Sequence, residues 1–154
     1  MKGKRLFAYV FLMTLYVLLS AQEFDVPDTK GMKLYKGNTH AHSNKSVGNA
    51  SPPDVALWYK NNGYRFLVLA DDSIPSDTGT FSKIADSSFI VIPGLEIKAL
   101  YQGRWIHTNG LNVKDTIYPK TEVSLDNTLQ RGIDEICKSG GVAQINHLLC
   151  KQWH

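Results

Sequence analysis

Beyond residue 31 the chain alternates between two hydrophobic rhythms. Phe66-Leu67-Val68-Leu69-Ala70 and Phe89-Ile90-Val91-Ile92 are unbroken apolar runs of strand length, as expected of parallel strands covered on both faces. Residues 32–38 and Val142–Ile145 read as two further strands. Residues 97–101 and 104–113 read as paired extended segments turned by Gln102-Gly103. Helical patterns lie between these runs. Ser51-Pro52-Pro53-Asp54 offers a cap, prolines suited to a first turn, and the acid that completes a capping box. Val55, Trp58 and Tyr59 then recur at helical spacing, and Asn61-Asn62-Gly63 ends the helix. A weak helical stretch covers residues 81–86. The clearest helix spans residues 124–138, with Leu125, Leu129, Ile133 and Ile136 on its buried face and Gly140-Gly141 behind it.

Strands alternating with helices predict an α/β fold, with a parallel sheet or barrel. In such folds the working residues stand just past the C-terminal ends of strands. Here His40 and His42, Asp71 and Asp72, Glu96, and His147 each follow a strand-like run. A random scatter of polar residues would not select the same end each time.

The first 21 residues are a separate object. Lys2, Lys4 and Arg5 precede a nearly unbroken apolar run from Leu6 to Leu19, and Ser20-Ala21-Gln22 supplies small residues for cleavage. That is the three-part pattern of a secretory signal peptide, so residues 1–21 are expected to direct export to the periplasm or the extracellular space. An uncleaved N-terminal anchor is the alternative, although the run is short for a membrane span. Residues 22–31 read as a polar linker and residues 32–154 as the domain. The chain carries 17 basic and 14 acidic residues, and the signal segment holds the whole excess. No Lys/Arg cluster follows, so a nucleic-acid partner is not expected. Hydrophobic content of 43% and charged content of 20% exclude a disordered chain. Cys137, in a helical pattern, reads as a small buried hydrophobe, and Cys150 is left uncommitted.

The candidate chemistry starts at Asn38-Thr39-His40-Ala41-His42. On an extended chain His40 and His42 point to one side, and neutral imidazole is the commonest ligand for zinc-like ions. A polar turn that happens to hold two histidines explains that stretch alone equally well. Asp71-Asp72 alone could cap a turn, and His107 alone reads as a satisfied hairpin histidine. Glu96 after Pro93-Gly94 is a stronger candidate, because a carboxylate there otherwise needs a buried partner. Trp58, Tyr59 and Tyr64 read as packing. Mixed N/O donors suit zinc, manganese or iron better than calcium. Paired ions bridged by a carboxylate such as Glu96 suit hydrolysis of an ester-like bond, phosphoesters first.

These stretches resemble the polymerase and histidinol phosphatase (PHP) domain. The resemblance rests on Asn38-Thr39-His40-Ala41-His42 with Ser46, Val68-Leu69-Ala70-Asp71-Asp72, Val91-Ile92-Pro93-Gly94-Leu95-Glu96, Ile106-His107, and Gly140-Gly141-Val142-Ala143-Gln144-Ile145-Asn146-His147. It covers about residues 33 to 150. The Trp58-Tyr59-Lys60 helix, Gly63-Tyr64 and the export signal look most like the secreted CehA/McbA-like branch of metallohydrolases. The resemblance implies a distorted, TIM-like (β/α) barrel and up to three divalent ions. It places His40, His42 and Glu96 on a first metal, Glu96, His107 and His147 on a second, and residue 72 on a third, with Asp71 as an orienting carboxylate behind them. Glu96 and His147 are the candidate catalytic residues, and metal-bound hydroxide is the implied nucleophile.

The chain departs from the family pattern at four places. Asp72 stands where the family has histidine, and Val47 where it has an aspartate. Leu148 follows His147 in place of proline, and the family's last Asp-x-His motif is absent. Too few strand–helix units are present to close a barrel, and fewer ions than three are expected. The expectation is therefore an exported, incomplete PHP-type hydrolase domain acting on a small phosphoester. Two rivals stand beside it: a carboxylic or carbamate ester hydrolase, and a non-catalytic, truncated metal-binding remnant.

Overall fold

A computed structural model of the chain describes residues 28–147. The segment expected to direct export and Cys150 lie outside the described residues. The chain divides after Lys33, and everything below concerns the unit that begins at Leu34. No helix among the described residues is long and apolar enough to cross a membrane.

The unit is a mixed α/β fold built on one five-stranded sheet. Strands β1 (Gly37–Ala41), β2 (Phe66–Asp72), β3 (Ile90–Tyr101), β4 (Arg104–Leu111) and β5 (Val142–Ile145) lie side by side in that order. β1, β2 and β3 are parallel, and β4 is antiparallel to both of its neighbours. β5 therefore runs in the same direction as β3. Helix α1 (Pro52–Asn61) connects β1 to β2, and helix α2 (Leu125–Lys138) precedes β5.

The sheet is strongly curled. On a flat sheet the outer strands β1 and β5 would stand four strand spacings, roughly 19 Å, apart. Yet the rings of His40 on β1 and His147 just past β5 have centroids 5.5 Å apart. The side chain of Asn109 on β4 donates to the carbonyl of Thr39 on β1 at 3.0 Å, across two intervening strands. The expected partial barrel is thus present in its coarse form.

Local chemistry explains the helices. Ser51 caps α1 by accepting from the Asp54 amide, with prolines in the first turn, Asp54 at the positive end of the dipole and Lys60 at the other. Instead of closing a reciprocal capping box, the Ser51 hydroxyl also donates to the Asp54 carboxylate, at 2.5 Å. Ser124 caps α2 through the Asn127 amide. Gln102 and Gly103, both at positive φ, make the two-residue turn joining β3 to β4, as their sequence predicts.

Several expectations are corrected by tertiary contacts. The first strand is not 32–38 but Gly37–Ala41, because pairing with β2 begins at Gly37 opposite Phe66. Residues 81–86 form no α-helix; a 3-10 turn at Thr78–Phe81 carries Phe81 into the core. The break expected at Pro93-Gly94 is absent, and β3 runs unbroken through it because β2 pairs along one side and β4 along the other. Trp58 is 57% exposed, and Ala56 is the buried residue of α1. On α2 the fully covered residues are Thr128 and Ile136, while Leu125 in the first turn is 50% exposed. Cys137 is exposed rather than buried.

The core lies on the outer, convex face of the sheet, in two clusters. Leu67 and Leu69 of β2 pack with Ala56 of α1, Phe81 and Phe89. Leu95 and Ile97 of β3 pack with Val113, Ile117 and Ile136 of α2. By strand alternation the intervening residues of β2 and β3 face inward. Val68, Ala70 and Gly94 line that side tightly: a Cβ on Gly94 would lie 2.3 Å from Val68 Cγ1.

Candidate metal centre

Strand direction decides what meets on the inner face. β1, β2, β3 and β5 present their C-terminal halves to one end of the curl, and β4, running the other way, presents its N-terminal half. In register, Asp72 lies opposite Glu96, Glu96 opposite Asn109, and Lys98 opposite His107. His40 and His42 arrive from β1, and Asn146 and His147 from the end of β5. Glu96 is the hub. It is not past a strand, as its sequence suggests, but in the middle of β3, and only 1% of its surface is accessible.

Four imidazoles surround this one carboxylate. Its Oε1 lies 3.3 Å from His40 Nε2, 3.2 Å from His107 Nδ1 and 3.8 Å from His147 Nε2. Its Oε2 lies 3.5 Å from His42 Nε2. Asn146 Nδ2 donates to Oε1 at 3.1 Å and to Asn109 Oδ1 at 2.7 Å, so the amide holds the carboxylate against the floor of the site. The histidine distances are long for charge-assisted hydrogen bonds. They match the donor-to-donor edge of tetrahedral coordination, roughly 3.3 Å for zinc–ligand bonds of about 2.0–2.1 Å.

The two β1 histidines face each other with Nε2 atoms 2.9 Å apart. The tautomer of His42 follows from its other nitrogen. Ser46 Oγ donates its one proton to Asp71 Oδ1 at 2.6 Å, so at 3.0 Å from His42 Nδ1 it can only accept. His42 therefore carries its proton on Nδ1 and turns the Nε2 lone pair toward Glu96. Asp71 also accepts from the Ser43 amide and hydroxyl, fixing the loop after β1. It sits on the outer face and orients a histidine through a serine, the arrangement that commonly stands behind a metal ligand.

Donor groups of three converge in two places: His40, Glu96 and His147, and His42, Asp72 and Glu96. Glu96 belongs to both. This partition splits the two β1 histidines, whereas the family resemblance assigns them together. Two donor atoms of the site, Asp72 Oδ1 and His107 Nδ1, are buried without a hydrogen-bond partner. Such orphans are costly unless an ion or water completes them. The donors are imidazole and carboxylate, with no thiolate, which fits zinc, manganese or iron.

The electrostatics favour neutral imidazole. Burial lowers the His42 and His107 pKa values, helped by Lys98 and a neighbouring histidine in each case, against the opposing pull of Glu96 and Asp72. Burial pushes the Glu96 carboxyl up, but the His40 ring, the positive charge that His107 and His40 can carry, and the Asn146 amide outweigh it and bring it to about 2. His42 and His107 are thus held toward the neutral form and Glu96 toward the charged one, which offers a cation imidazole lone pairs beside a carboxylate.

The structure brings His40, His42, Asp72, Glu96, His107 and His147 together on the concave face, with Asp71 behind. Three participants were not anticipated. Lys98 Nζ pairs with Asp72 Oδ2 at 2.7 Å, and Asn109 and Asn146 secure the floor. Lys98 and Asn109 lie two residues after Glu96 and His107, so a period-two reading of unbroken strands would have placed them on the same side. His147 and Ser73 both hold positive φ, 55° and 56°, at the rim. Backbone strain of that kind gathers at functional sites, and at His147 it accompanies a ring turned back toward Glu96.

No protein-family model matches the chain, and no curated protein is significantly similar to it.

Proposed function

We propose that the chain is a metal-dependent hydrolase of the PHP type, exported, and acting on a small phosphoester. The observation that carries this reading is the convergence of four imidazoles, from β1, β4 and the end of β5, on one buried carboxylate of β3. Structural histidines are ordinarily satisfied one by one; here His107 Nδ1, like Asp72 Oδ1 beside it, is buried without a hydrogen-bond partner.

Divalent ions held by His40, His42, Glu96, His107 and His147 would supply a Lewis acid and a polarised water. The chain's own residues do the rest. Glu96, acceptor-only at neutral pH and gripped by Asn146, keeps the donors at one spacing. The Asp71–Ser46 relay holds the His42 lone pair inward. His147, at the rim with the most exposed imidazole of the set, would hold its ion where a substrate can reach it. The Glu96 carboxylate requires bound cations before an anionic phosphoester can approach, which makes activity strictly metal-dependent.

Metal analysis of the purified protein tests this reading. Zinc, manganese or iron should co-purify, and His40→Ala, His42→Ala and Glu96→Ala should each lower the content. Unchanged metal in all three variants would sink the assignment. Aryl phosphate and aryl carboxylate substrates, assayed side by side, separate the phosphoesterase from the carboxylic or carbamate esterase.

A further inference from the structure

Lys98 is a side chain that metal ligation does not call for, yet it lies among the ligands. It projects from the same side of β3 as Glu96 and is the register partner of His107. Its Nζ is 2.7 Å from Asp72 Oδ2 and 3.6 Å from Glu96 Oε2. Asp72 and Glu96 are two of the three donors in one of the converging groups, with His42 the third. Two thirds of that group therefore already face an ammonium. An ammonium offers only donors, so it satisfies carboxylate oxygens and repels any metal ion brought beside it. In the other group, His40 and His147 make no contact with Lys98 among the interactions described, and both lie on Glu96 Oε1 rather than on the oxygen nearer the ammonium.

On the metal-centre reading above, we propose that Lys98 is a resident cation of the centre. Its ammonium takes the Asp72 arm in place of a metal ion and confines metal binding to the side of His40, Glu96 and His147. An ordinary surface ion pair would stand apart from the ligands. This one shares Asp72 with the donor group and reaches toward its hub. The ammonium is covalently tethered, so a chelator that empties the rest of the centre leaves this arm neutralised.

The test is metal content per chain after saturation with zinc and removal of excess, measured on the full chain. Lys98→Met should bind a further equivalent over the wild type. Lys98→Arg should keep the wild-type count. The added ion should be lost again in the Lys98→Met/Asp72→Asn double variant. Lys98→Gln, which keeps a donor toward Asp72 without the charge, carries the same expectation if Lys98→Met does not fold. Equal zinc in wild type and both neutral variants, with that zinc lost on His40→Ala, overturns the role of Lys98 and leaves the metal centre standing. A wild type without zinc overturns both.

Discussion

The two faces of one sheet are made from the same strands and do opposite work. On β2 and β3, Leu67, Leu69, Leu95 and Ile97 face out into apolar clusters beneath the helices. Asp72, Glu96 and Lys98 alternate with them and face in, where polar groups exceed the partners available to them. The neighbours Asp71 and Asp72 show the contrast in two residues. Asp71 turns outward and is fully engaged by Ser43 and Ser46. Asp72 turns inward, gives one oxygen to Lys98 and leaves the other buried without a hydrogen-bond partner. The apolar packing thus lies on the convex face and the candidate binding groups on the concave one, and strand period two keeps them separable.

The sharpest way to break that separation is a pair of substitutions. Leu69→Ala should cost about 2–5 kcal/mol of stability, read by denaturant unfolding, with metal affinity of the folded protein unchanged. Glu96→Gln, nearly isosteric, should abolish metal binding, read by calorimetric titration, with a far smaller change in metal-free stability. A metal-free chain destabilised as much by Glu96→Gln as by Leu69→Ala would show the two faces to be one cooperative unit. Gly94→Ala probes their contact, since Gly94 stands two residues before Glu96 and its Cβ would collide with Val68. About 1–3 kcal/mol should be lost, together with metal affinity, because the hub is displaced.

Smaller effects sharpen the comparison further. Ser46→Ala removes the relay between Asp71 and His42 without touching the core. Metal affinity should fall by about 10-fold, as for other groups that orient a ligand, with little change in the unfolding midpoint. Acid gives the gentlest test. His42 and His107 have lowered pKa values, so the unfolded chain binds more protons than the folded one just below the ordinary histidine value of 6.5. Metal-free stability should therefore decline as pH falls below 6.5. A second decline should follow between 4.5 and about 2, where Glu96 is ionised in the folded chain and protonated in the unfolded one. The Glu96→Gln variant should lose only the second step.

Much of this molecule is legible in one dimension. The apolar runs at Leu67–Ala70 and Phe89–Ile92, the caps at Ser51 and Ser124, and the Gln102-Gly103 turn are local signals, because each depends on residues within a few positions of one another. The candidate ligands are legible for a related reason: imidazoles and acids directly after apolar, strand-like runs stand out along the chain. The failures share a cause. Nothing near Pro93-Gly94 reveals that flanking strands carry β3 straight through the break, so Glu96 was placed at a strand end and Lys98 and Asn109 were overlooked. Nothing near residue 37 shows where β2 begins to pair.

What the sequence determines by itself is the set of elements and the inventory of donor atoms, since both follow from neighbours along the chain. What only the folded chain decides is which of those atoms meet. The curl that brings the His40 and His147 rings to 5.5 Å, the partition of donors around Glu96, and the ammonium beside Asp72 come from strand order and register. Those are contacts between residues 24 to more than 100 positions apart, and no local preference encodes them.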